Sequence, residues 1–493
     1  MSSIQNFLCA TAIVIAGLAG CGGASTPEVP PTSASAGLPQ VVSTVNPASA
    51  SAQAKASPTL QAAPTTSAAR LQLSASTQFR IVHFDLDPIY SGNDDAAQVT
   101  SNIDMLVKRV TALYQPGTDL AIYLSAFSNP TASENVHDTV FFPGSQLRER
   151  GGNLRFDDAE FPQGELFART ARAIKMAAPE VKVYAWMPTL NFKVDPKSAY
   201  FNASLKSYIQ ADLPAEQADT RQYKRLSPFV GAAWDIVAQI YTELGWSAGK
   251  YIDGIVFHDD GVITDHEDAS DTARAFLRSH DWSALVPGDQ RSWDQLDATD
   301  RAIRKSRYLD QFTLYMANQT QDAANSKFGL NKTLLTARHV YSSAFSNPNA
   351  VQWLSQEPRS LLQDYDNVLI ETYPYMEERN KVASVAASTS FCELSREDGC
   401  VGLATAPYFD TVFNAVQAFP NGLTKTVFVM QTVDWNLRTG VVTDLTSDLL
   451  GRQMRSLFDQ GAVHFGWYPD RYFKVDAHPA IAGEFERMLH TRH

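Results

Sequence analysis

At 493 residues the chain is too long for an average single domain but not for one large barrel with appendages, and a 44% hydrophobic, 11% aromatic composition can fill a substantial core. Its formal charge of −12 argues against a nucleic-acid partner, because phosphate binding needs a basic face. A neutral or cationic ligand suits that balance.

Ile4 to Leu18 is a short apolar run, too short to span a bilayer in a mature protein, and reads as a signal peptide. Its ending, Leu18, Ala19, Gly20 and Cys21, resembles a bacterial lipobox, which implies cleavage before Cys21 and lipidation of that residue. The stretch before it, "MSSIQNF", departs from the usual pattern in having no Lys or Arg. In lipoproteins a Gly such as Gly22 after the cysteine points to the outer membrane. The expected location is therefore the bacterial cell envelope, lipid-anchored at the outer membrane and facing the periplasm or the cell surface. Residues 22–77 are rich in Ser, Ala, Thr, Pro and Gln with no sustained apolar period. Such a segment cannot bury enough surface to offset its chain entropy and is expected to be a disordered tether.

From residue 78 to 493 a single folded domain is expected. Short apolar runs read as strands at 79–85, 119–127, 181–188, 254–260, 333–339, 367–373, 426–435 and 462–469. Between them lie helical periods; Val99, Ile103, Leu106, Val107 and Val110 share one face in residues 96–114. Eight buried-type strands, each followed by a helix, predict an α/β fold of the (β/α)8 TIM-barrel type. A doubly wound open sheet is the alternative, disfavoured because no Gly-rich phosphate turn follows the first strand.

In such a barrel the carboxyl ends of the strands meet at one rim, where catalysis is housed. That rim would collect Asp85 and Asp87 from the first strand and Trp186 from the third. The fourth brings His258, Asp259 and Asp260, and the fifth Arg338 and His339. Glu371 and Tyr373 come from the sixth, Asp434 and Trp435 from the seventh, and Tyr468 from the eighth. Aromatic faces stack on sugar rings, and paired carboxylates are the working groups of glycoside hydrolysis. Each also has a plainer reading. Trp186 can be rim packing and His258 a structural histidine that orients Asp259. Asp265, Glu267 and Asp268 read as helix-capping or solvated-loop residues before a helix near Ala269, and Asp253, at the opposite strand end, as structural.

No His-x-x-x-His or compact second histidine is present, and no Gly-x-Ser-x-Gly elbow, so neither a metal, another cofactor nor a serine nucleophile is expected. Cys392 and Cys400 flank a polar stretch, and in an exported compartment their spacing suits a loop-closing disulfide.

The segments "HFDLDPIY", "AIYLSAFSNP", "VYAWMPTLNF", "DGIVFHDDGVITDHEDAS", "ETYPYME", "QTVDW" and "FGWYPD", in this order, resemble the C-terminal glycoside hydrolase domain of the PgaB-type lipoproteins of poly-β-1,6-N-acetylglucosamine export systems. The likeness covers roughly residues 79–475. It implies an endo-acting glycosidase, of the glycoside hydrolase family 153 kind, that cuts the partially de-N-acetylated biofilm polysaccharide. The catalytic carboxylates would be Asp259 and Asp260. Asp85, Asp87, Trp186, His258, Glu371, Tyr373, Asp434, Trp435 and Tyr468 would contact substrate, and the partners would be a hexosamine polysaccharide and its export machinery. The low-complexity segment stands where that family carries a deacetylase domain, so deacetylation is not carried over. The expected chemistry keeps one carboxyl of the Asp259/Asp260 pair protonated through its neighbour's charge. The alternatives are a non-catalytic polysaccharide-binding or export lipoprotein, and a glycosidase for another cationic hexosamine polymer.

Overall fold

The computed structural model describes residues 79–89, 95–114, 119–128, 139–144, 155–156, 165–192, 225–259, 263, 267–374, 398–436 and 441–470. The segment with Cys21, the tether and Cys392 lie outside them. Among the described residues no helix is long and apolar enough to cross a membrane.

The strands follow in chain order: β1 (Phe79–Phe84), β2 (Asp119–Ser125), β3 (Thr139–Val140), β4 (Arg155–Phe156), β5 (Lys182–Met187), β6 (Gly254–Phe257), β7 (Leu335–Tyr341), β8 (Asn367–Thr372), β9 (Thr426–Gln431), β10 (Val433–Asn436), β11 (Val441–Asp444) and β12 (Phe465–Tyr468). Eight of them close a parallel barrel in the order β1-β12-β9-β8-β7-β6-β5-β2, the expected fold; β3 pairs with β4 and β10 with β11 outside it. The barrel strands are buried almost throughout, as continuous Val, Ile, Leu and Phe runs require when a helix layer covers the outer face.

The helices are α1 (Ala96–Leu113), α2 (Leu166–Ala177), α3 (Gly231–Ala248), α4 (Asp271–Ser279), α5 (Ala298–Phe328), α6 (Pro358–Asp364), α7 (Asp398–Gln417) and α8 (Ser447–Phe458), besides single turns. Side-chain caps fix several starts: Asp95 accepts from the Gln98 N–H at 2.9 Å, and Asp297 from the Asp300 N–H at 2.8 Å. Helix α5 runs to Phe328 and is capped by Gly329, whose φ of 62° suits a residue without Cβ.

The carboxyl end of each barrel strand differs from the expected one by at least a residue, and three of the shifts bear on the site. Strand β6 stops at Phe257, so His258 and Asp259 lie just past it. Strand β7 runs on to Tyr341. The run at 426–435 breaks at Thr432, whose N–H donates to the Tyr468 carbonyl (3.0 Å) and whose hydroxyl donates to the Pro469 carbonyl (2.6 Å). With Thr432 tied to the end of β12, the following residues turn away and form β10. Cys400 lies in α7 rather than in a polar loop.

At the amino-terminal end of the barrel, Asp253 Oδ2 accepts from the Val183 N–H at 2.8 Å and from Lys175 Nζ at 3.0 Å, the structural role read for it. Asp366 does the same for the Thr336 N–H at 2.8 Å. Just beyond, Gly254 leaves room for the Tyr184 ring. A Cβ there would sit 2.5 Å from Tyr184 Cε1 and 2.6 Å from the Leu335 carbonyl oxygen, and that oxygen is part of the barrel wall. Gly254→Ala is expected to lower stability by about 1–3 kcal/mol through overpacking, read as a lower urea midpoint. An unchanged midpoint would show that the wall yields.

Candidate active site

Side-chain parity builds the site, because alternate residues of each strand face the barrel interior. On β1 these are His83 and, one step beyond the strand, Asp85; on β2 they include Tyr123 and Ser125. Ser125 Oγ donates to Asp85 Oδ1 at 2.8 Å and lies 3.1 Å from His83 Nε2. With the serine hydroxyl donating to Asp85, His83 Nε2 must be the donor toward Ser125. Burial depresses the basicity of His83 first, with His339 and His258 adding to the effect. This is the reverse of a Ser-His-Asp relay, in which the serine gives its proton to the histidine. The trio orients Asp85, and Asp87 lies half-buried at the start of a short 3-10 turn.

Strands β5 and β6 bring the second group. The Trp186 ring lies 4.5 Å from the His258 ring at 30°, with Phe127 5.1 Å from Trp186. His258 Nδ1 is 2.7 Å from Asp259 Oδ1, and the His258 N–H donates to the Met187 carbonyl at 2.9 Å. For Asp259, burial alone would favour the protonated form. The charge and hydrogen bond of His258, then His339 and the Tyr341 hydroxyl, outweigh it and hold the carboxyl well below the usual carboxylate range. Asp259 is thus an anion at neutral pH, so of the expected pair it is not the carboxyl that keeps the proton. Asp260 lies outside the described residues.

Strands β7 and β8 supply the third group. His339 Nδ1 lies 3.2 Å from Glu371 Oε1, without the alignment of a hydrogen bond. Both side chains are 2% exposed. Burial, the largest effect, lowers the His339 pKa to about 4 despite the nearby Asp259 anion, so the imidazole is neutral. Donor atoms of Asp259, His339 and Glu371 all fall within 4.8 Å of one another. Such a carboxylate, imidazole, carboxylate set could hold a divalent cation, but Asp259 is already engaged by His258 and Tyr341. Above it Tyr373 and Tyr468 stack at 6.1 Å and 19°. Burial first, then neighbouring carboxylates, keeps both phenols and that of Tyr123 protonated. Tyr123 Oη, Trp186 Nε1 and His339 Nε2 have no hydrogen-bond partner among the described residues, and their rings share the barrel mouth. Buried donors of this kind suit a hydroxyl-rich ligand.

Of the residues expected from sequence, Asp85, Trp186, His258, Asp259, Glu371, Tyr373 and Tyr468 converge in this well. Asp434 and Trp435 belong to β10 by their backbone, and their side chains lie outside the described residues. The solvated reading of Glu267 and Asp268 is corrected. Glu267 is 2% exposed and paired with Arg225 at 2.9 Å, while Asp268 accepts from the Ser270 N–H (2.9 Å) and Oγ (3.0 Å), and Ser270 is the N-cap of α4. Helix α4 starts at Asp271, two residues past the expected Ala269. Sequence reasoning missed Tyr123, Ser125 and Tyr341. Parity with His83 across the β1–β2 register, which pairs His83 with Tyr123, was the available signal for the first two.

The buried imidazole has a consequence for stability. The unfolded chain takes up a proton at His339 near 6.5, the folded chain only near 4, so the unfolded state binds more protons between those values. Stability then falls as pH drops through that window, by up to roughly 3 kcal/mol from this residue. Asp310, pushed up to about 7 chiefly by burial, acts in the opposite sense. His339→Gln should therefore make the urea midpoint decline less between pH 6.5 and 4 than in the wild type; equal slopes would refute it.

Comparison with known proteins places this geometry in a family. Residues 83–392 and 402–468 match the family described as "Hypothetical glycosyl hydrolase family 13". The glycoside hydrolase domain of PgaB (BpsB) from Bordetella bronchiseptica is similar at 27% identity and a TM-score of 0.61, covering 84% of this chain and 98% of that one. The poly-β-1,6-N-acetyl-D-glucosamine N-deacetylases of Escherichia coli K12 and O157:H7 are each 28% identical over 393 residues, 80% of this chain. The chain spans about half the length of these curated relatives (50%). With a family match over most of its folded residues, the chain belongs to hypothetical glycosyl hydrolase family 13, and its barrel is a homologue of the PgaB glycoside hydrolase domain.

Proposed function

We propose that the protein is an endo-acting glycoside hydrolase that cleaves partially de-N-acetylated poly-β-1,6-N-acetyl-D-glucosamine, with Asp259 and Asp260 as its catalytic carboxylates. The observation that carries this reading is the buried Asp259 anion facing Glu371 at the foot of an aromatic well. A carboxylate held ionised out of water is suited to stabilise an oxocarbenium-like transition state. The proton for the departing oxygen then comes from another acid, and Asp260, the next residue, is assigned that role. Glu371 is the second carboxylate within reach. One of its oxygens lies within 4.8 Å of an Asp259 oxygen, near the roughly 5 Å carboxyl separation of double-displacement glycosidases.

The substrate class follows from charge and from the relatives. Free amines on a partly deacetylated hexosamine chain are cationic at neutral pH, and the protein carries −12. Trp186, Tyr373 and Tyr468 offer the aromatic faces that sugar rings stack on. Lipid on Cys21 would fasten the barrel to the cell envelope through the tether, and Cys21→Ser should move the protein from the membrane to the soluble fraction.

A reducing-end assay on partially deacetylated polymer tests the reaction. Wild-type protein should release new reducing ends, while Asp260→Asn and Asp259→Asn should each lose about 10²-fold or more in rate and still bind the polymer. Binding without cleavage by the wild type would favour a non-catalytic polysaccharide-binding lipoprotein. Cleavage of a galactosamine polymer in preference would change the substrate but not the reaction.

A further inference from the structure

Arg338 sits where an α/β barrel ordinarily has apolar side chains. By parity with the inward-facing His339 it is turned toward the helix layer, beside its register partners Phe257 and Val368, and it is 2% exposed. A guanidinium without water is costly unless its donors are met. Here Nη1 donates to the carbonyl of His258 at 2.6 Å and lies 3.0 Å from Thr189 Oγ1. Behind it, Asp310 of α5 places a carboxyl whose oxygens accept from Ser360 Oγ (2.7 Å) and Tyr365 Oη (3.0 Å), and the Arg338 charge acts on that carboxyl.

We infer that Arg338 is a positioning residue for the hydrolysis: from outside the barrel it pins the peptide between His258 and Asp259, and so aims the Asp259 carboxylate into the well. The inference rests on the glycosidase reading above. The geometry behind it is specific. Strand β6 ends at Phe257, so His258 and its carbonyl lie just past the strand. The His258 N–H is held by the Met187 carbonyl at 2.9 Å, and Arg338 holds the other end of the same residue. Fixing that carbonyl fixes the peptide plane from which Asp259 departs. The Arg338 bond to Thr189 ties the same point to the end of β5, two residues past Met187. Three neighbouring strand ends, carrying Trp186, the His258–Asp259 pair and His339, are thereby locked to one side chain that does not enter the well.

The test compares Arg338→Met, Arg338→Lys and Thr189→Val with wild type by kcat, KM and thermal unfolding, and by a crystal structure of the Lys variant. A displacement of about 1 Å at a catalytic group costs on the order of 10²-fold, so Arg338→Met should lose about that much in kcat with KM little changed. Arg338→Lys, which keeps a donor, should recover part of the loss, and Thr189→Val should cost only a few-fold. A folded Arg338→Met with wild-type kcat overturns the inference. So does a loss that vanishes well below the melting temperature, which marks stability alone. Should the Met variant not fold, wild-type kcat in both Arg338→Lys and Thr189→Val overturns it. Wild-type protein that fails to cleave sinks the glycosidase reading instead; the crystal structure then decides the positioning on its own, since a His258 carbonyl that stays in place although the introduced ammonium no longer reaches it overturns the inference, and one that moves when that bond is lost, or stays only where the ammonium bonds it, supports it.

Discussion

A carboxylate that is 6% exposed, in the mouth of a closed barrel, is unstable as an anion unless something nearby compensates its charge, and for Asp259 that is the contact of 2.7 Å to His258. The rest of the site depends on this pair. Because His258 and Tyr341 hold Asp259 ionised, the neutral His339 and the protonated Tyr123, Tyr373 and Tyr468 can surround it without adding charge. The well is polar in its hydrogen-bonding groups but nearly apolar in its surfaces, which strengthens the field of the anion.

The scaffold makes that arrangement affordable in geometry. Barrel closure satisfies the strand backbones internally, so polar side chains can be turned inward at the carboxyl end while Gly254 and Tyr184 fill the interior lower down. The His83, Ser125 and Asp85 chain shows the same logic on the opposite wall. Ser125 of β2 meets both His83 Nε2 and Asp85 Oδ1 of the neighbouring chain segment, so the second acidic side chain has little freedom to turn away. Interactions outside the barrel reach the same place. Arg225 pairs with Glu267, and Lys305 donates to the Glu267 carbonyl at 2.5 Å, which anchors the segment leading from the site into α4.

Much of this was legible in the residues alone. Eight apolar runs, each followed by a helical period, carry the barrel because parallel strands buried on both faces must be apolar along their whole length. Once the barrel is granted, the carboxyl ends of the runs name the rim, and Asp85, Trp186, His258, Asp259, Glu371, Tyr373 and Tyr468 all stand there. Run length, however, does not say where a strand stops. Strand β9 ends at Gln431 because β12 captures Thr432, and β7 reaches Tyr341, where the hydroxyl meets Asp259; both outcomes depend on partners far away in sequence.

Protonation was the least legible property. Two adjacent aspartates read as a pair of which one keeps a proton, and the sequence does not say which. Asp259 is held ionised by its contacts with His258 and with the Tyr341 hydroxyl of the next strand. Glu267 likewise reads as a solvated acid until Arg225 appears beside it. Local pattern by itself determined the fold class, the rim and the identity of its acidic and aromatic residues, because periodicity and strand order are properties of neighbouring positions. Only the tertiary structure decided which acid is ionised, which residues face each other across the well and which outer side chain holds them, because electrostatic free energy depends on distance through space and on burial, and neither is written along the chain.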